Sequence, residues 1–296
     1  MNNEVKPADS NQITREYFDS LVMEMRHIGN LKPTSDITLY GKNFSTPIMT
    51  AALSHLSNTC PDGDTLMAKG AYDAGAVEWT GMGSKEELES IIATGASTIK
   101  IIKPYADNDL IFEKIEHAQK SGAFAVGMDI DHAFTGSGDY DDIRGSKMVP
   151  KSLTELKSFA AATNLPFIVK GILSVTDAKK CLDLGAGGIV VSHHHGIMNS
   201  AIPPLMILPD IADAIEGKMP IFVDCGIMNG YDVFKALALG ADAVCVGRIL
   251  MDYLKQDGSE GVTRKINSMT SELMGVMART GFSKIDDIDS SVLRQR

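Results

Sequence analysis

Short apolar runs rich in β-branched residues recur along the chain, and a longer amphipathic stretch follows each of them. Eight such runs lie at residues 47–52, 76–81, 97–102, 123–130, 166–172, 188–194, 220–226 and 242–248. Near-continuous apolar strands that alternate with helical segments are typical of a parallel sheet whose faces are covered by helices. The pattern therefore predicts an α/β fold with eight parallel strands.

The turns that lead from the helices back into the strands repeat a small-residue motif. Four of them carry a glycine at the end of the preceding helical segment, namely Gly75, Gly122, Gly185 and Gly240. Glycine just beyond a helix end is a common C-cap. With eight strands, this repeat favours a closed (β/α)₈ TIM barrel over an open doubly wound sheet. No GxGxxG motif follows a strand, so a Rossmann dinucleotide site is not predicted.

Few segments fall outside the barrel pattern. Residues 1–35 are predicted to form a polar tail and a short helical extension, with its helix over residues 14–26, and residues 36–296 form the barrel domain. A stretch rich in Gly, Asp and Ser at residues 135–149 separates strands four and five and is predicted to be a mobile lid. Residues 250–283 are predicted to form the last helices, with Met side chains filling the core.

Composition narrows the class of protein. The formal net charge is −10, which argues against a nucleic-acid partner or an anionic membrane surface. No apolar run approaches the roughly 18 residues of a membrane span, and the polar start lacks the apolar centre of a signal peptide. The 4 cysteines show no CxxC spacing, so neither a zinc site nor a disulfide framework is predicted. These features favour a cytoplasmic protein that acts on a small molecule.

The ends of strands seven and eight have the features of a phosphate-binding site. The chemistry of a TIM barrel collects at the C-terminal ends of its strands, and the loops after strands seven and eight commonly hold phosphate. Gly226 and Gly247 allow close approach of backbone N–H groups to an anion, and Arg248 supplies a charged partner. Ordinary turn glycines and a surface arginine are the alternative.

Strand five ends at Lys170, which the strand periodicity places in or over the barrel mouth. A structural lysine at that position needs a buried anionic partner. The functional alternatives are a lysine that faces an electron-accepting ring and a Schiff-base lysine.

Strand six ends in three consecutive histidines, of which His194 faces away from its two neighbours if the strand is extended. Asp129 and Asp131 share a face at the end of strand four. A carboxylate beside His194 fixes the tautomer of its ring and makes it a general base. A purely structural role for the histidines is the alternative. No HxxxH or HExxH spacing is present, so no metal site is predicted.

These strand ends resemble the FMN-dependent α-hydroxy acid oxidase/dehydrogenase family, which includes glycolate and lactate oxidases. The resemblance is carried by DCGIMNGYDVFKALALGADAVCVGR at residues 224–248, VKG at residues 169–171 and VVSHHHG at residues 190–196, and it covers about residues 40–290. It implies an FMN-dependent oxidoreductase that acts on a 2-hydroxy acid or a related α-hydroxy or amino compound. It also implies a homotetramer, and reoxidation by oxygen or another electron acceptor.

The resemblance assigns a role to individual residues. His194 would be the base that takes the substrate hydroxyl proton while a hydride passes to flavin N5, and Asp131 would orient it. The family's cofactor contacts fall on Ala51, Ala52, Leu53, Thr80, Asp129, Lys170, Ser192, Asp224, Gly226, Met228, Gly247 and Arg248.

The chain also departs from the family. The arginine that clamps the substrate carboxylate is replaced by Ile197, and the arginine of the phosphate loop by Met228. Losing a bidentate arginine weakens carboxylate recognition unless another cation replaces it, for which Lys103 and Arg144 are candidates. A one-residue gap in the alignment brings in Lys100 instead of Lys103. The departures favour an atypical substrate that is bulkier or less anionic.

Two other functions stay open at this point. An FMN-dependent isomerase of the type 2 isopentenyl diphosphate isomerase kind shares the barrel and the flavin site, but the histidine-rich end of strand six supplies a base that α-hydroxy oxidation needs. A non-catalytic flavoprotein, or a barrel that binds a sugar phosphate, is the third hypothesis.

Overall fold

Eight parallel strands form one sheet in the computed structural model, which describes residues 6–296. The strands are β1 Ile48–Thr50, β2 Glu78–Thr80, β3 Thr98–Ile102, β4 Ala125–Asp129, β5 Phe167–Ile172, β6 Gly188–Val191, β7 Ile221–Val223 and β8 Ala243–Val246. Their order in the sheet is β1-β8-β7-β6-β5-β4-β3-β2. A parallel bridge between Leu53 and Thr80 joins the two outer strands, so the sheet closes into the predicted TIM barrel.

Each barrel strand is followed by a helix. The helices are α1 Ser10–Ser20, α2 Gly63–Asp73, α3 Lys85–Ala93, α4 Asn108–Ser121, α5 Leu153–Ala161, α6 Val175–Leu184, α7 Pro204–Ile215, α8 Gly230–Ala238 and α9 Arg248–Thr280. Two of the four predicted glycines are the C-cap residues of their helices: Gly122 ends α4 with φ 88° and Gly185 ends α6 with φ 75°. In α2 and α8 the C-cap residues are Ala74 and Leu239, and Gly75 and Gly240 follow them with φ 67° and 107°. The left-handed backbone at these turns is favourable for glycine because it has no Cβ.

Apolar side chains fill the inside of the barrel. Trp79 of β2 and Phe222 of β7 meet edge to face with their ring centroids 5.1 Å apart, and both are buried. A hairpin of Ile37–Leu39 and Lys42–Phe44 adds Leu39 and Phe44 to this interior cluster. The interior is therefore a packed core. Ligands can bind only at the mouth of the barrel, at the C-terminal ends of the strands.

The N-terminal helix differs from the prediction in its bounds. It begins at Ser10, where Asp9 accepts a hydrogen bond from the Asn11 amide, and it ends at Ser20 rather than at residue 26. The chain then continues as a short strand, Leu21–Met23, that pairs antiparallel with Leu293–Gln295. Because this partner strand lies about 270 residues away, no local pattern in the sequence indicates the pairing. The domain boundary at residues 35 and 36 stays a prediction.

Two other segments lie where the sequence predicted them. The predicted lid at residues 135–149 contains a small hairpin of Asp142–Ile143 and Ser146–Lys147. The last helix, α9, is interrupted by non-helical backbone at Asp257 and Gly258, so it consists of two helical segments. In the part of the chain from residue 6 onward, no helix is long and apolar enough to cross a membrane.

We expect Gly230→Ala to destabilise the barrel. A Cβ at Gly230, at the start of α8, would lie 2.4 Å from the Met269 carbonyl oxygen of α9 and 2.5 Å from the Leu273 amide nitrogen. Overpacking of this kind costs about 1–3 kcal/mol. The urea midpoint measures it, and Gly136→Ala, where nothing lies within 4 Å, should change stability by less than about 0.5 kcal/mol. Equal stability of the two variants would contradict the close packing of α8 on α9.

Candidate active site

One cavity of about 180 Å³ opens at the C-terminal ends of the strands. Its lining residues lie in or just after strands β1, β5, β6, β7 and β8. The lining consists of Ala51, Ala52, Leu53, Lys170, His194, His195, Asp224, Cys225, Gly226, Ile227, Met228, Cys245, Gly247, Arg248 and Ile249. Most of the residues that the sequence predicted to contact a cofactor therefore share one cavity.

Lys170 lies in the wall of this cavity and is held by buried carboxylates. Its Nζ is 3.0 Å from Asp129 Oδ1 and 3.7 Å from Asp224 Oδ2, and the side chain is 7% exposed. Burial lowers the pKa of Lys170, but Asp129 and Asp224 outweigh this effect and raise it. The anionic partners that a structural lysine needs are thus present, and the ammonium group stays charged beside the cavity.

Asp129 receives a second ammonium group. Lys103 Nζ is 2.6 Å from Asp129 Oδ2, so this carboxylate lies between two buried lysines. Burial raises the pKa of Asp129, but Lys170, His194 and Lys103 hold it well below its usual value. Lys103 therefore belongs to the charged cluster next to the cavity.

The other lysine of β3 lies elsewhere. Lys100 Nζ donates a hydrogen bond to the Gly81 carbonyl oxygen. Burial lowers the pKa of Lys100 to about 8, with a further contribution from Lys114. Of the two lysines left open by the sequence, Lys103 is the one that contacts the Asp129 cluster.

The three histidines lie in a turn and not on an extended strand, because β6 ends at Val191. The prediction that the three side chains alternate as on an extended strand is therefore wrong. His194 has φ 47° and His195 has φ 57°, and this left-handed backbone directs the rings to different partners. Ser192, predicted as a cofactor contact, uses its hydroxyl to accept a hydrogen bond from the His194 amide at 3.0 Å.

His194 is paired with two carboxylates. Its Nδ1 is 2.9 Å from Asp131 Oδ1 and 3.4 Å from Asp129 Oδ1. Burial lowers the pKa of His194, and Lys170 acts in the same direction, but the two aspartates raise it above its usual value. Because Nδ1–H donates to Asp131, the second ring nitrogen, Nε2, is the one left to accept a proton.

The side chain of Asp131 packs against the backbone of Gly171. A Cβ on Gly171, which has φ 97°, would lie 2.6 Å from Asp131 Cγ. In the described part of the chain, Asp131 Oδ2 is buried without a hydrogen-bond partner. The sequence missed one neighbour of this pair: the His132 ring lies 4.3 Å from that of His194, centroid to centroid, and its Nδ1 is 3.2 Å from Asp141 Oδ2.

The same residues have the donor atoms for a metal. Ligand atoms of Asp129, Asp131 and His194 lie within 4.8 Å of one another. However, Lys170 Nζ is 3.0 Å from Asp129 and 3.4 Å from His194 Nδ1, so an ammonium group already supplies the positive charge there. The absence of a metal site stays a prediction.

Seven predicted residues lie outside the cavity lining: Asp129, Asp131, Ser192 and Lys103, whose contacts are described above, and Thr80, Ile197 and Arg144. Thr80 is buried at the end of β2, where its backbone bridges to Leu53. Ile197 is 40% exposed in the loop after β6. Arg144 is exposed at the turn of the small hairpin; within residues 6–296, no hydrogen bond or ion pair joins it to the His194 cluster.

The opposite part of the cavity is cationic. The Arg248 guanidinium contacts His195 Nε2, beside the turns at Gly226 and Gly247. Cys225, with φ 69°, donates its thiol to Asp224 Oδ1 at 2.9 Å and accepts from the His195 amide at 3.4 Å. Glycine-rich turns with an arginine are a favourable setting for a phosphate group.

Helix α1 reaches this cationic part, which sequence reasoning missed. Thr14 Oγ1 is 2.8 Å from His193 Nε2. Arg15 donates to both carboxylate oxygens of Asp232, at 3.0 Å each, and to the Gly226 carbonyl oxygen at 3.2 Å. No local pattern in residues 10–20 indicates these contacts, because they cross about 180 residues or more of sequence.

The lining fits a ligand with a phosphate group and a ring that can take up negative charge. Arg248 and the two glycine turns suit the phosphate, and Lys170 supplies a fixed positive charge for the ring. Ala51 and Ala52 have small side chains, which leave room for a flat group in the cavity. FMN combines these two chemical features.

Sequence comparison identifies the family. The sequence model of the FMN-dependent dehydrogenases matches residues 4–155 and 149–295. The chain is 30% identical to 2-hydroxyacid oxidase of Dictyostelium discoideum, with 88% of this chain and 76% of the relative covered. It is 31% identical to L-lactate oxidase of Roseobacter sp. (strain GAI101), with 86% of this chain and 78% of the relative covered.

Solved structures agree. A mandelate oxidase variant with the monooxide FMN adduct superimposes with a TM-score of 0.90 at 28% identity, covering 97% of this chain and 92% of that structure. Another structure of a variant of that enzyme, with (S)-mandelic acid, also has a TM-score of 0.90, at 27% identity and with 98% and 92% covered. The chain therefore belongs to the FMN-dependent dehydrogenase family: it is an α-hydroxy acid oxidase-like flavoenzyme whose cofactor is FMN.

Proposed function

We propose that this enzyme oxidises the α-hydroxy group of a 2-hydroxy acid or of a related α-hydroxy or amino compound, with His194 as the base. One observation carries the proposal: His194 lines the cavity while its Nδ1 is 2.9 Å from Asp131. A histidine that is oriented by a carboxylate on one nitrogen and open on the other is suited to accept a proton from a substrate hydroxyl.

Each residue of the cluster has a distinct task in this proposal. His194 Nε2 takes the hydroxyl proton, and Asp131 holds Nδ1–H and stabilises the imidazolium that forms. Lys170 places a positive charge where negative charge accumulates on reduction. FMN, when bound, supplies the acceptor for a hydride at its N5 position. The residues proposed to hold it are Ala51, Ala52, Leu53, Thr80, Asp129, Lys170, Ser192, Asp224, Gly226, Met228, Gly247 and Arg248.

The substrate of this enzyme is proposed to be bulkier or less anionic than a simple 2-hydroxy acid. Ile197 stands where the resemblance places a carboxylate-binding arginine, and it supplies no charge. Of the two candidate replacement cations, Lys103 is favoured because it is buried beside Asp129, whereas Arg144 is exposed on the hairpin. Since Asp129 already neutralises Lys103, a substrate carboxylate would be bound less tightly than by an unpaired arginine.

Anaerobic reduction tests the reaction and the substrate class together. Purified enzyme is mixed with 2-hydroxy acids, with their uncharged amides and esters, and with matching amines, and the loss of the oxidised flavin spectrum is followed. We expect reduction by α-hydroxy compounds, with bulky or uncharged members at least as effective as glycolate or lactate. Reduction by NAD(P)H alone, with no compound of the panel active, would contradict the proposal.

The isomerase alternative is not favoured. The relatives reported above are named as oxidases, and the base that α-hydroxy oxidation requires is present as the His194–Asp131 pair. Turnover that needs Mg²⁺ and reduced flavin, with no electron acceptor, would reverse this preference.

Three further parts of the proposal concern the surroundings of the site. Oxygen is the first acceptor to test, since relatives are named oxidases, and another acceptor is the alternative. We also propose a homotetramer, measured by light scattering, and a cytoplasmic location, measured by cell fractionation.

The pH dependence of kcat/KM should report His194. Its pKa is raised above 6.5 by Asp129 and Asp131, and the base must be unprotonated, so kcat/KM should fall as the pH drops through that raised pKa. Asp131→Asn removes one raising charge, which moves this acidic limb to lower pH, and it lowers kcat by up to the roughly 10²–10⁴-fold that a positioned general base contributes. Asp142→Asn, an exposed carboxylate of the hairpin, should leave the limb in place. An unshifted limb in Asp131→Asn would mean that Asp131 does not control the base.

A further inference from the structure

Two groups that can both be positively charged meet in the cavity wall. The Arg248 guanidinium donates a hydrogen bond to His195 Nε2. Arginine has donors and no acceptor, so His195 must accept through Nε2 and carry its proton on Nδ1. That Nδ1 is 2.6 Å from Asn11 Oδ1 of α1, which accepts the proton's hydrogen bond. The geometry thus requires a neutral His195 of one tautomer.

The surroundings of His195 favour its neutral form. Burial lowers the pKa of His195, and Arg248, His193 and His194 lower it further. Asp9, at the N-terminus of α1, is the one carboxylate that acts in the opposite direction among these groups. On the β7 side, the His195 amide contacts the Cys225 thiol, which is uncharged because burial and Asp224 raise the pKa of Cys225.

Arg248 has no carboxylate partner. Among residues 6–296, none of the ion pairs of the structure includes it, and its charge faces a cavity that also exposes the turns at Gly226 and Gly247. The neighbouring loop contributes Met228, which has no charge. Arg15 and Lys265 donate to the carbonyl oxygens of Gly226 and Met228 from behind the loop and do not line the cavity. Of the side chains that line the cavity beside these two turns, Arg248 is the one permanent cation, so a phosphate dianion would be half neutralised by the lining unless a second cation forms.

We propose that His195 is this second cation: the FMN phosphate inserts between Arg248 and His195, and His195 Nε2 takes up one proton from solvent on binding. The Nδ1–H bond to Asn11 is kept, so the ring needs no flip, and both Arg248 and His195 then donate to phosphate oxygens. Helix α1 thereby takes part in cofactor binding through Asn11. The inference concerns the cofactor and holds whichever substrate is oxidised.

Comparison of FMN with riboflavin tests the proposal, because the two differ only in the phosphate. Dissociation constants for the apoprotein are measured by quenching of flavin fluorescence. We expect His195→Gln to weaken FMN binding by about 10–100-fold, the size of a charge-assisted hydrogen bond, and riboflavin binding by less than about threefold. Equal loss for both ligands, or no loss for FMN, would overturn the proposal.

The pH dependence gives a second readout. Since free His195 has a pKa below 6.5, and phosphate monoesters remain mostly dianionic above about pH 6, FMN affinity of the wild type should rise as the pH falls from about 8.5 to 6.5. Riboflavin affinity reports every other titrating group, including His194. In His195→Gln, the pH dependence for FMN should become that for riboflavin. A wild type whose FMN and riboflavin affinities follow pH in parallel would refute proton uptake by His195.

A rescue experiment distinguishes two reasons for weaker FMN binding in His195→Gln: the loss of a positive charge and a disturbed turn. Met228→Arg, made in the His195→Gln background, places a permanent cation on the neighbouring loop and should restore FMN affinity without restoring its pH dependence. Asn11→Ala should weaken FMN binding less than His195→Gln and add nothing to it in the double variant, since both act through one ring. Independent, additive losses would remove Asn11 from the proposal. Wild-type enzyme that binds FMN but is reduced by no α-hydroxy compound would overturn the proposed reaction and leave this inference intact.

Discussion

His194→Gln should lower kcat by about 10²–10⁴-fold, the usual contribution of a positioned general base, while FMN stays bound. The reason is that glutamine keeps a polar side chain in the turn but accepts no proton at neutral pH. Flavin reduction is followed by anaerobic stopped flow at saturating substrate, and the oxidised flavin spectrum of the purified variant shows retention of the cofactor.

His132→Gln is the matched control for this variant. The two rings are neighbours, 4.3 Å apart, and each is hydrogen bonded to an aspartate, but His132 does not line the cavity. We therefore expect its effect on flavin reduction to stay below about tenfold. A His194→Gln enzyme as fast as the wild type would remove His194 from the mechanism, and a larger loss in His132→Gln would transfer the role to that residue.

Lys170→Met should damage both stability and flavin reduction. Removing one partner of a buried ion pair costs about 3–5 kcal/mol because the other charge stays buried, and the lower end applies here since Asp129 retains Lys103. The rate of flavin reduction should fall by about 10²–10³-fold, as for the loss of one preorganised electrostatic donor. Urea unfolding of the apoprotein and stopped-flow reduction measure the two effects separately.

Two lysine variants separate charge from burial. Lys170→Arg keeps a positive charge beside Asp129 and should recover most of the stability. Lys100→Met removes another buried lysine, one that bonds a backbone carbonyl and no carboxylate, so it should leave flavin reduction within about threefold of the wild type. A Lys170→Met enzyme that is destabilised but reduced at the normal rate would assign Lys170 a structural role alone.

Much of the fold could be predicted because the barrel repeats a local pattern. Each strand is a short apolar run, buried on both faces, and each helix carries its own stripe of apolar residues, so neither needs information from distant residues. The failures lie at element ends and at the N-terminal region. The predicted helix at residues 14–26 overran Ser20 because the next three residues pair with Leu293–Gln295, a partner that local periodicity cannot reveal.

The candidate site was predictable to the extent that it follows from strand ends. Lys170, Asp224 and His194 line one cavity because the C-terminal ends of parallel strands meet at one face of a closed barrel. The sequence could not show the side-chain partners across that face. The position of Lys170 between Asp129 and Asp224, and of Lys103 on the same Asp129, depends on the register of neighbouring strands.

The amino-acid sequence by itself determined the class of fold and which strand ends carry the chemistry, because hydrophobic period and glycine turns are properties of neighbouring residues. Only the tertiary structure decided which atoms meet: that His194 bonds Asp131, that His195 contacts Arg248, and that Asn11 of α1 lies against His195. Hydrogen bonds and ion pairs act over about 3 Å, and residues more than 50 positions apart reach that distance only when the barrel has closed.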